Sequence, residues 1–375
     1  MTSDTTVGTQ LRVQCSREEL GEKLALVSRA VSARSSVQIL SGILLRGGNG
    51  QLELSATDME LSLRTRLTAG VEGDGAVVVP GRLFVELVRL LPAGEVALEY
   101  RAEESALHVT SGSAEYRLRT YAVEDFPRLP DVEGAALHTV ATGPLLETIS
   151  RVGRAASRDE SRPVLTGILV RFEGGKLIMA ATDSYRLAVK ETPLAGELPE
   201  LEAIIPARAL EELRRIAAGT ETLELGMLDN HAVFAAAGVL LTTRRIDGQF
   251  PNYRQLLPET FEHAVRMPRE ELFDVVRRTA VMAQRNSPLR LRFEDGELTI
   301  SAQTQDVGES RETLPVAFTG EPFEIGFNAE FLRDGVESAA GDELVLKLIN
   351  PLRPGLIEGA DGDFWYLIMP IRLAG

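Results

Sequence analysis

Residues 42–60 read GILLRGGNGQLELSATDME, and residues 167–185 read GILVRFEGGKLIMAATDSY. Each opens on an apolar run, turns at glycine, resumes with alternating residues and closes on Ala-Thr-Asp. Alternation on both sides of a short Gly-bearing turn is the pattern of a β-hairpin, and Gly48-Asn49-Gly50 reads as such a turn. Asp58 and Asp183 stand 125 residues apart. A third, weaker copy, LRLRFEDGELTISAQTQD at 289–306, puts Gly296 121 residues after Gly175.

Working outward, other landmarks recur at the same spacing. Helical periodicity begins near Glu18, Pro144 and Glu270, each 126 residues from the last, with apolar positions such as Leu20, Leu24, Val27 and Val31. A second helical stretch follows Val79-Pro80, Ile205-Pro206 and Gly326. Phe126-Pro127 and Phe250-Pro251 close the first two copies, and WYLIMPIRL closes the third. Three copies of about 125 residues, each with two amphipathic helices and several short strands, predict an α+β fold with helices on one face of antiparallel sheets. The expected domains are 11–130, 131–257 and 258–375, with residues 1–10 a disordered extension.

Composition narrows the function. The 375 residues carry 40 Lys and Arg against 55 Asp and Glu, a net charge of −15, which argues against indiscriminate coating of nucleic acid. The apolar share of 44% suffices for real cores. One cysteine, Cys15, leaves no disulfide framework and no Cys₄ metal site. No apolar run reaches membrane-spanning length, and Met1 to Gln10 lacks the features of a signal peptide. A reducing cytoplasm is expected.

Charge is segregated by element. The helical stretches 17–34, 81–91, 143–158, 206–217, 268–285 and 327–339 hold 17 basic and 13 acidic residues, a surplus of four, which leaves −19 elsewhere. Arg151, Arg154 and Arg158 recur at helical spacing and are expected on one face; Arg277, Arg278 and Arg285 resemble them in the third copy. Two readings fit: solvated surface helices, or helices facing a phosphate backbone while an acidic exterior repels it.

Motifs of catalysis are missing. No phosphate loop, dinucleotide fingerprint, zinc-protease motif or nucleophile elbow occurs, and the four histidines lack metal-ligand spacing. Asp58 and Asp183 are the best acid–base candidates, but a turn aspartate bonding backbone N–H groups explains them more simply. A binding site is better supported. The tail Met369-Pro370-Ile371-Arg372-Leu373 is too apolar to be left exposed, and docking it on the 182–187 turn makes a groove of Leu, Met and Pro rimmed by arginine. Plain interdomain packing is the other reading.

The segments Ala181-Thr182-Asp183-Ser184-Tyr185-Arg186-Leu187-Ala188, Phe250-Pro251-Asn252-Tyr253 and Met369-Pro370-Ile371-Arg372-Leu373, in this order, resemble the bacterial sliding-clamp family, the β subunit of DNA polymerase III, from about Leu11 to the end. That resemblance implies a head-to-tail homodimeric ring of six similar domains around duplex DNA, without sequence preference, catalysis, cofactor or metal. It implies a clamp loader, the polymerase III catalytic subunit, and other polymerases and repair proteins as partners, held by short peptides. It also implies a cytoplasmic, nucleoid-associated protein that no membrane binds.

Carried onto this chain, the implied peptide pocket is Leu165, Thr182, Ser184, Tyr185, Arg186, Leu187, Pro251, Leu256, Leu367, Met369, Pro370, Ile371 and Arg372, with Arg186 holding a polar or acidic peptide group at the rim. Arg34 and Arg162 match DNA-contacting loops, alongside the helical arginines. The subunit interface would join the strand around Tyr116 to the helix around Val281. Gln255 replaces a basic residue that relatives can carry, and Pro163-Val164 replaces an aromatic pair. A hydrolase using Asp58 and Asp183, and a monomeric repeat protein binding polysaccharide or peptide, are the other classes; mass in solution separates both from a dimer.

Overall fold

The computed structural model describes residues 10–32, 36–194, 200–283, 287–304 and 308–373. Among them are seven helices: α1 Arg17–Val27, α2 Gly81–Leu90, α3 Thr142–Gly153, α4 Pro163–Thr166, α5 Ala207–Ile216, α6 Arg269–Thr279 and α7 Ala329–Ser338. Apart from single-turn α4, they fall two to a copy, as the periodicity predicts. Ser16 caps α1 by accepting from the Glu19 N–H, and Asn328 caps α7 by accepting from the Phe331 N–H. In α6, Glu270 and Glu271 at the start and Arg277 and Arg278 at the end suit the helix dipole.

Three helices are shorter than their sequence stretches. α1 and α6 tighten into 3₁₀ turns at Ser28–Ala30 and Ala280–Met282, and α3 stops at Gly153. The causes are local. The Ser28 and Thr279 hydroxyls bond back to the Ala25 and Val275 carbonyls, and glycine is a poor helix former. Arg154 and Arg158 therefore lie beyond the end of α3, so the expected single helical face of three arginines does not form.

All strand pairings among the described residues are antiparallel. The hairpin turns use positive φ, at Asn49 (51°) and Gly50 (71°) in the first copy and at Gly174 (59°) and Gly175 (76°) in the second, which is the two-residue turn the sequence pattern calls for.

The chain forms two compact units, Met1–Thr142 with Arg215–Arg245 and Gly143–Arg214 with Ile246–Gly375. Each contains an eight-stranded sheet that crosses a boundary between copies. In the first unit, the copy-one strand Leu61–Thr68 pairs with the copy-two strand Val239–Arg244. In the second, the copy-two strand Arg186–Pro193 pairs with the copy-three strand Phe364–Ile368. The registers are the same. Leu61 faces Thr243 and Thr65 faces Val239; 125 residues on, Arg186 faces Ile368 and Lys190 faces Phe364. A further mark recurs at that spacing: the N–H groups of Tyr121, Ile246 and Ile371 donate to the carbonyls of Val78, Ile204 and Gly326, each at 2.8 Å.

Each unit also has a smaller sheet with an uncovered edge. The five-stranded sheet of the first unit ends on Ala114–Arg119, and the four-stranded sheet of the second ends on Gly308–Pro315. Phe126 packs on Leu44, Ala76 and Val78, and Phe250 sits in a cluster with Leu169, Leu187, Ile204, Tyr253, Leu356 and Leu367. The Phe-Pro landmarks thus seal sheet faces, and burying each phenylalanine contributes roughly 2–3 kcal/mol.

Candidate functional site

The Thr-Asp turns are built alike. Thr182 Oγ1 donates to the Arg186 carbonyl and accepts from the Ser184 N–H, while Asp183 Oδ1 accepts from the N–H groups of Tyr185 and Arg186. Thr57 and Asp58 make the same bonds with Leu61, Met59 and Glu60. These bonds hold Met59 at φ 79° and Ser184 at φ 81°, a conformation unfavourable without glycine. Both aspartates serve their turns, as the simpler sequence reading has it. No cluster of three or more metal-ligating side chains occurs among the described residues.

The tail docks on the second turn. Met369 N–H donates to the Tyr185 carbonyl at 2.8 Å, and Ile371 N–H to the Gly326 carbonyl. Beside this junction lies a cavity of about 660 Å³ lined by Thr182, Ser184, Tyr185, Arg186, Leu187, Leu256, Leu367 and Met369, all among the expected pocket residues. Gln255 also lines it. Tyr185, Leu256, Leu352 and Met369, four of the large hydrophobics exposed among the described residues, gather here, which marks a binding surface.

The expected Leu165, Pro251, Pro370, Ile371 and Arg372 are not in the lining. Leu165 belongs to α4, and Ile371 spends its N–H on Gly326. The sequence reading missed Leu257, Pro258, Ile349, Leu352, Arg353 and Pro354. The run Asn350-Pro351-Leu352-Arg353-Pro354, an apolar residue held between prolines, is a signal that could have found Leu352, Arg353 and Pro354.

Arg186 does not stand at the rim. It is buried, with Nε on Asp183 Oδ2 (3.0 Å), Nη1 on Asp334 Oδ2 (2.6 Å) and on the Tyr366 hydroxyl (3.3 Å), and its guanidinium lies 4.2 Å from the centre of the Phe331 ring. Burial by itself would lower its pKa; Tyr366, Asp334 and Asp183 outweigh burial and the net shift is upward. Burial pushes the Tyr366 phenol up. The charge that the sequence assigned to an incoming peptide is already satisfied from within.

The equivalent seam in the first unit has a different lining. Its cavity, about 820 Å³, has Glu60, Ser62 and Arg244 where the other has Tyr185, Leu187 and Met369, with Arg128, Asp229 and His231 nearby. Arg244 N–H donates to the Glu60 carbonyl at 2.8 Å, as Met369 does to Tyr185. The frame is shared, but only the second-unit cavity is apolar enough to hold aliphatic anchors.

The arginines singled out as basic contacts are mostly engaged with acids. Arg151 pairs with Glu147, and Arg154 reaches Glu337 of α7 through two bonds of 2.6 and 2.7 Å. Arg158 is exposed. Arg162 bonds Asp159 and, at 3.0 Å, Ser184 Oγ, so it touches the cavity's turn. Arg277 pairs with Asp274. Arg278 is bidentate on Glu312, Nε donating to Oε1 and Nη2 to Oε2, which holds that carboxyl below its ordinary pKa. Such exposed pairs are weak, and a phosphate can replace the carboxylate. Arg34 and Arg285 lie outside the described residues. Tyr116, 45% exposed, is on the uncovered strand Ala114–Arg119, and Val281, 73% exposed, follows α6.

These features define a class: a three-domain α+β repeat protein whose sheets run on across repeat seams, with an apolar cavity at one seam. Residues 11–130, 139–252 and 254–372 match the family models of the N-terminal, central and C-terminal domains of the DNA polymerase III beta subunit. The chain belongs to that family, the β sliding clamps, which are processivity factors of DNA replication and not catalysts. It is 33% identical over 379 residues to the beta sliding clamp of Streptomyces coelicolor, covering 97% of this chain and 100% of that one. It is 34% identical over 375 residues to that of Synechococcus elongatus, with the same coverage. A solved β sliding clamp of Caulobacter crescentus, with polyethylene glycol bound at a proposed β-motif tethering region, superposes with a TM-score of 0.91 at 29% identity, covering 97% and 99% of the two chains.

Proposed function

We propose that two copies of this chain close head to tail into a ring around duplex DNA. The domains of each copy are 11–130, 131–257 and 258–375. The observation that supports this best is the register of the seams. Two seams inside the chain join a copy's Leu61-type strand to the next copy's Val239-type strand, and the third seam is left open. Its halves are the strands Gly308–Pro315 and Ala114–Arg119. The first corresponds to Arg186–Pro193 shifted by 122 residues, and the second to Val239–Arg244 shifted by 125.

Carrying the register over sets Glu309 opposite Arg117 of a second copy, Arg311 opposite Glu115 and Ser310 opposite Tyr116. Both charged pairs are complementary, and the pairing would satisfy the open backbone groups of both edges. Val281, beside the strand that α6 packs against, fits a position flanking this interface.

In this reading the arginines at 151, 154, 158, 162, 277 and 278 meet phosphates, and Arg34 and Arg285 join them. A ring stays on DNA by topology, so a surplus of four charges on the helices is enough, and weak contacts permit sliding. The apolar cavity takes short peptides of the polymerase III catalytic subunit, other polymerases and repair proteins, and a clamp loader opens the ring. The protein works in the bacterial cytoplasm at the nucleoid; no helix among the described residues is long and apolar enough to cross a membrane.

Loading onto nicked circular DNA tests this reading. Loaded protein should stay on the circle in salt that abolishes ordinary phosphate binding, and leave when the circle is cut. Equal retention on both forms would overturn the ring.

A further inference from the structure

We propose that Asp334 of α7 is a positioning residue for the apolar cavity, acting through Arg186; this rests on the peptide-binding reading above. Asp334 is 7% exposed and is not itself a lining residue; its Oδ2 accepts from the Arg186 guanidinium at 2.6 Å, while its Oδ1 faces Arg333 at 3.3 Å and Arg154 at 3.8 Å. Arg186 in turn bonds Asp183, whose other oxygen holds the N–H groups of Tyr185 and Arg186. The Tyr185 carbonyl accepts from Met369 N–H. One chain of short bonds therefore runs from α7 through the turn to the methionine at the cavity's edge.

α7 is itself fixed against the strand that forms the cavity floor. A Cβ on Gly335 would come within 2.5 Å of the Tyr366 ring, so the helix backbone lies directly on that ring. The Tyr366 hydroxyl donates to the Phe331 carbonyl at 2.9 Å and accepts from Arg186. Helix, strand and turn meet at one guanidinium.

The molecule contains its own control. The equivalent turn in the first unit makes the same Thr and Asp bonds and reaches the same φ, with the buried Leu61 in the place of Arg186. An ion pair is therefore not needed to form the turn. A buried ion pair is seldom worth more in stability than well-packed apolar side chains, whereas its directional bonds fix orientation. In the apolar cavity that orientation places Tyr185 and Met369 for a ligand; in the polar one the equivalent positions are Glu60 and Arg244.

The test titrates a fluorescein-labelled octapeptide carrying two leucines and a phenylalanine against the intact protein, Asp334→Asn, and the double variant Arg186→Leu with Asp334→Leu. Asp334→Asn should bind about tenfold more weakly, and amide hydrogen exchange should accelerate selectively at Met369 and at residues 185–187. The double variant, which gives position 186 the leucine that the first unit carries at 61 and removes the carboxylate left without it, should keep the wild-type melting temperature and still bind about tenfold more weakly. Wild-type affinity in either folded variant would overturn the proposal and reduce the cluster to fold stability. Weaker binding with uniformly faster exchange would do the same. Absence of binding to the unaltered protein would instead sink the peptide-site reading itself.

Discussion

Reversing one charge on the uncovered strand Ala114–Arg119 should break the ring. Arg117 has a side chain 61% exposed in the single chain and pairs with Glu104 at 3.3 Å. The register of the internal seams sets it opposite Glu309 of a second copy. An exposed ion pair contributes about 0.2–1 kcal/mol, and like charges directly opposite on paired strands cost a similar amount. Arg117→Glu exchanges the first for the second, so each interface loses about 0.4–2 kcal/mol. A two-membered ring has two such interfaces and loses about 0.8–4 kcal/mol, which raises the dimer dissociation constant roughly 4- to 700-fold. Sedimentation velocity over a range of protomer concentrations measures it directly, between the 40.8 kDa chain and a species of twice that mass. Adding Glu309→Arg should restore most of the loss, while Glu312→Arg, one register pair away from Arg311, should not. Dimerisation unmoved by Arg117→Glu, or no rescue by Glu309→Arg, would refute the transfer of register from the internal seams.

Met369→Ala should weaken an apolar peptide roughly five- to thirtyfold, about 1–2 kcal/mol, without altering the dimer, because its side chain lines the cavity and its backbone bond survives; fluorescence anisotropy reads this. Changing Arg151, Arg154 and Arg158 together to Glu should lower loading onto nicked circles several-fold with the dimer intact, and unchanged loading would assign them to solvated surface. Burial, aided by Glu19, pushes the Cys15 thiol up to about 11, so it stays protonated and should resist alkylation until the protein is unfolded; rapid native labelling would contradict its placement. Burial, and then Arg244, lowers the pKa of His231 in the folded chain, so the unfolded chain takes up that proton first. Its contribution to stability is complete above the unfolded pKa and falls as the pH drops below about 6.5. Urea midpoints at neutral and mildly acidic pH should therefore fall less for His231→Gln than for the unaltered protein.

The repeat is what the sequence determined unaided. Hairpins, helices and Phe-Pro closures are local patterns of period, turn chemistry and capping, so GILLRGGNGQLELSATDME and its partner declare both the elements and the spacing. The family resemblance then carried over eight residues that line the cavity. Where the sequence reading departed from the structure, the cause was local at the helix ends and long-range contact elsewhere. Helical spacing joined Arg151, Arg154 and Arg158, but α3 ends at Gly153 and Arg154 turns to Glu337, 183 residues away. Arg186 beside a presumed groove read as a rim charge, because nothing in the local sequence announces Asp334 and Tyr366, brought beneath it by α7 and the last strand. Ile349, Leu352 and Pro354 enter the cavity only because Gly355–Gly359 pairs with Phe364–Ile368. Periodicity fixes which face of an element is apolar. Which element meets it, and whether a charge faces solvent or a buried partner, is decided by sheet register and helix packing between residues far apart in the chain.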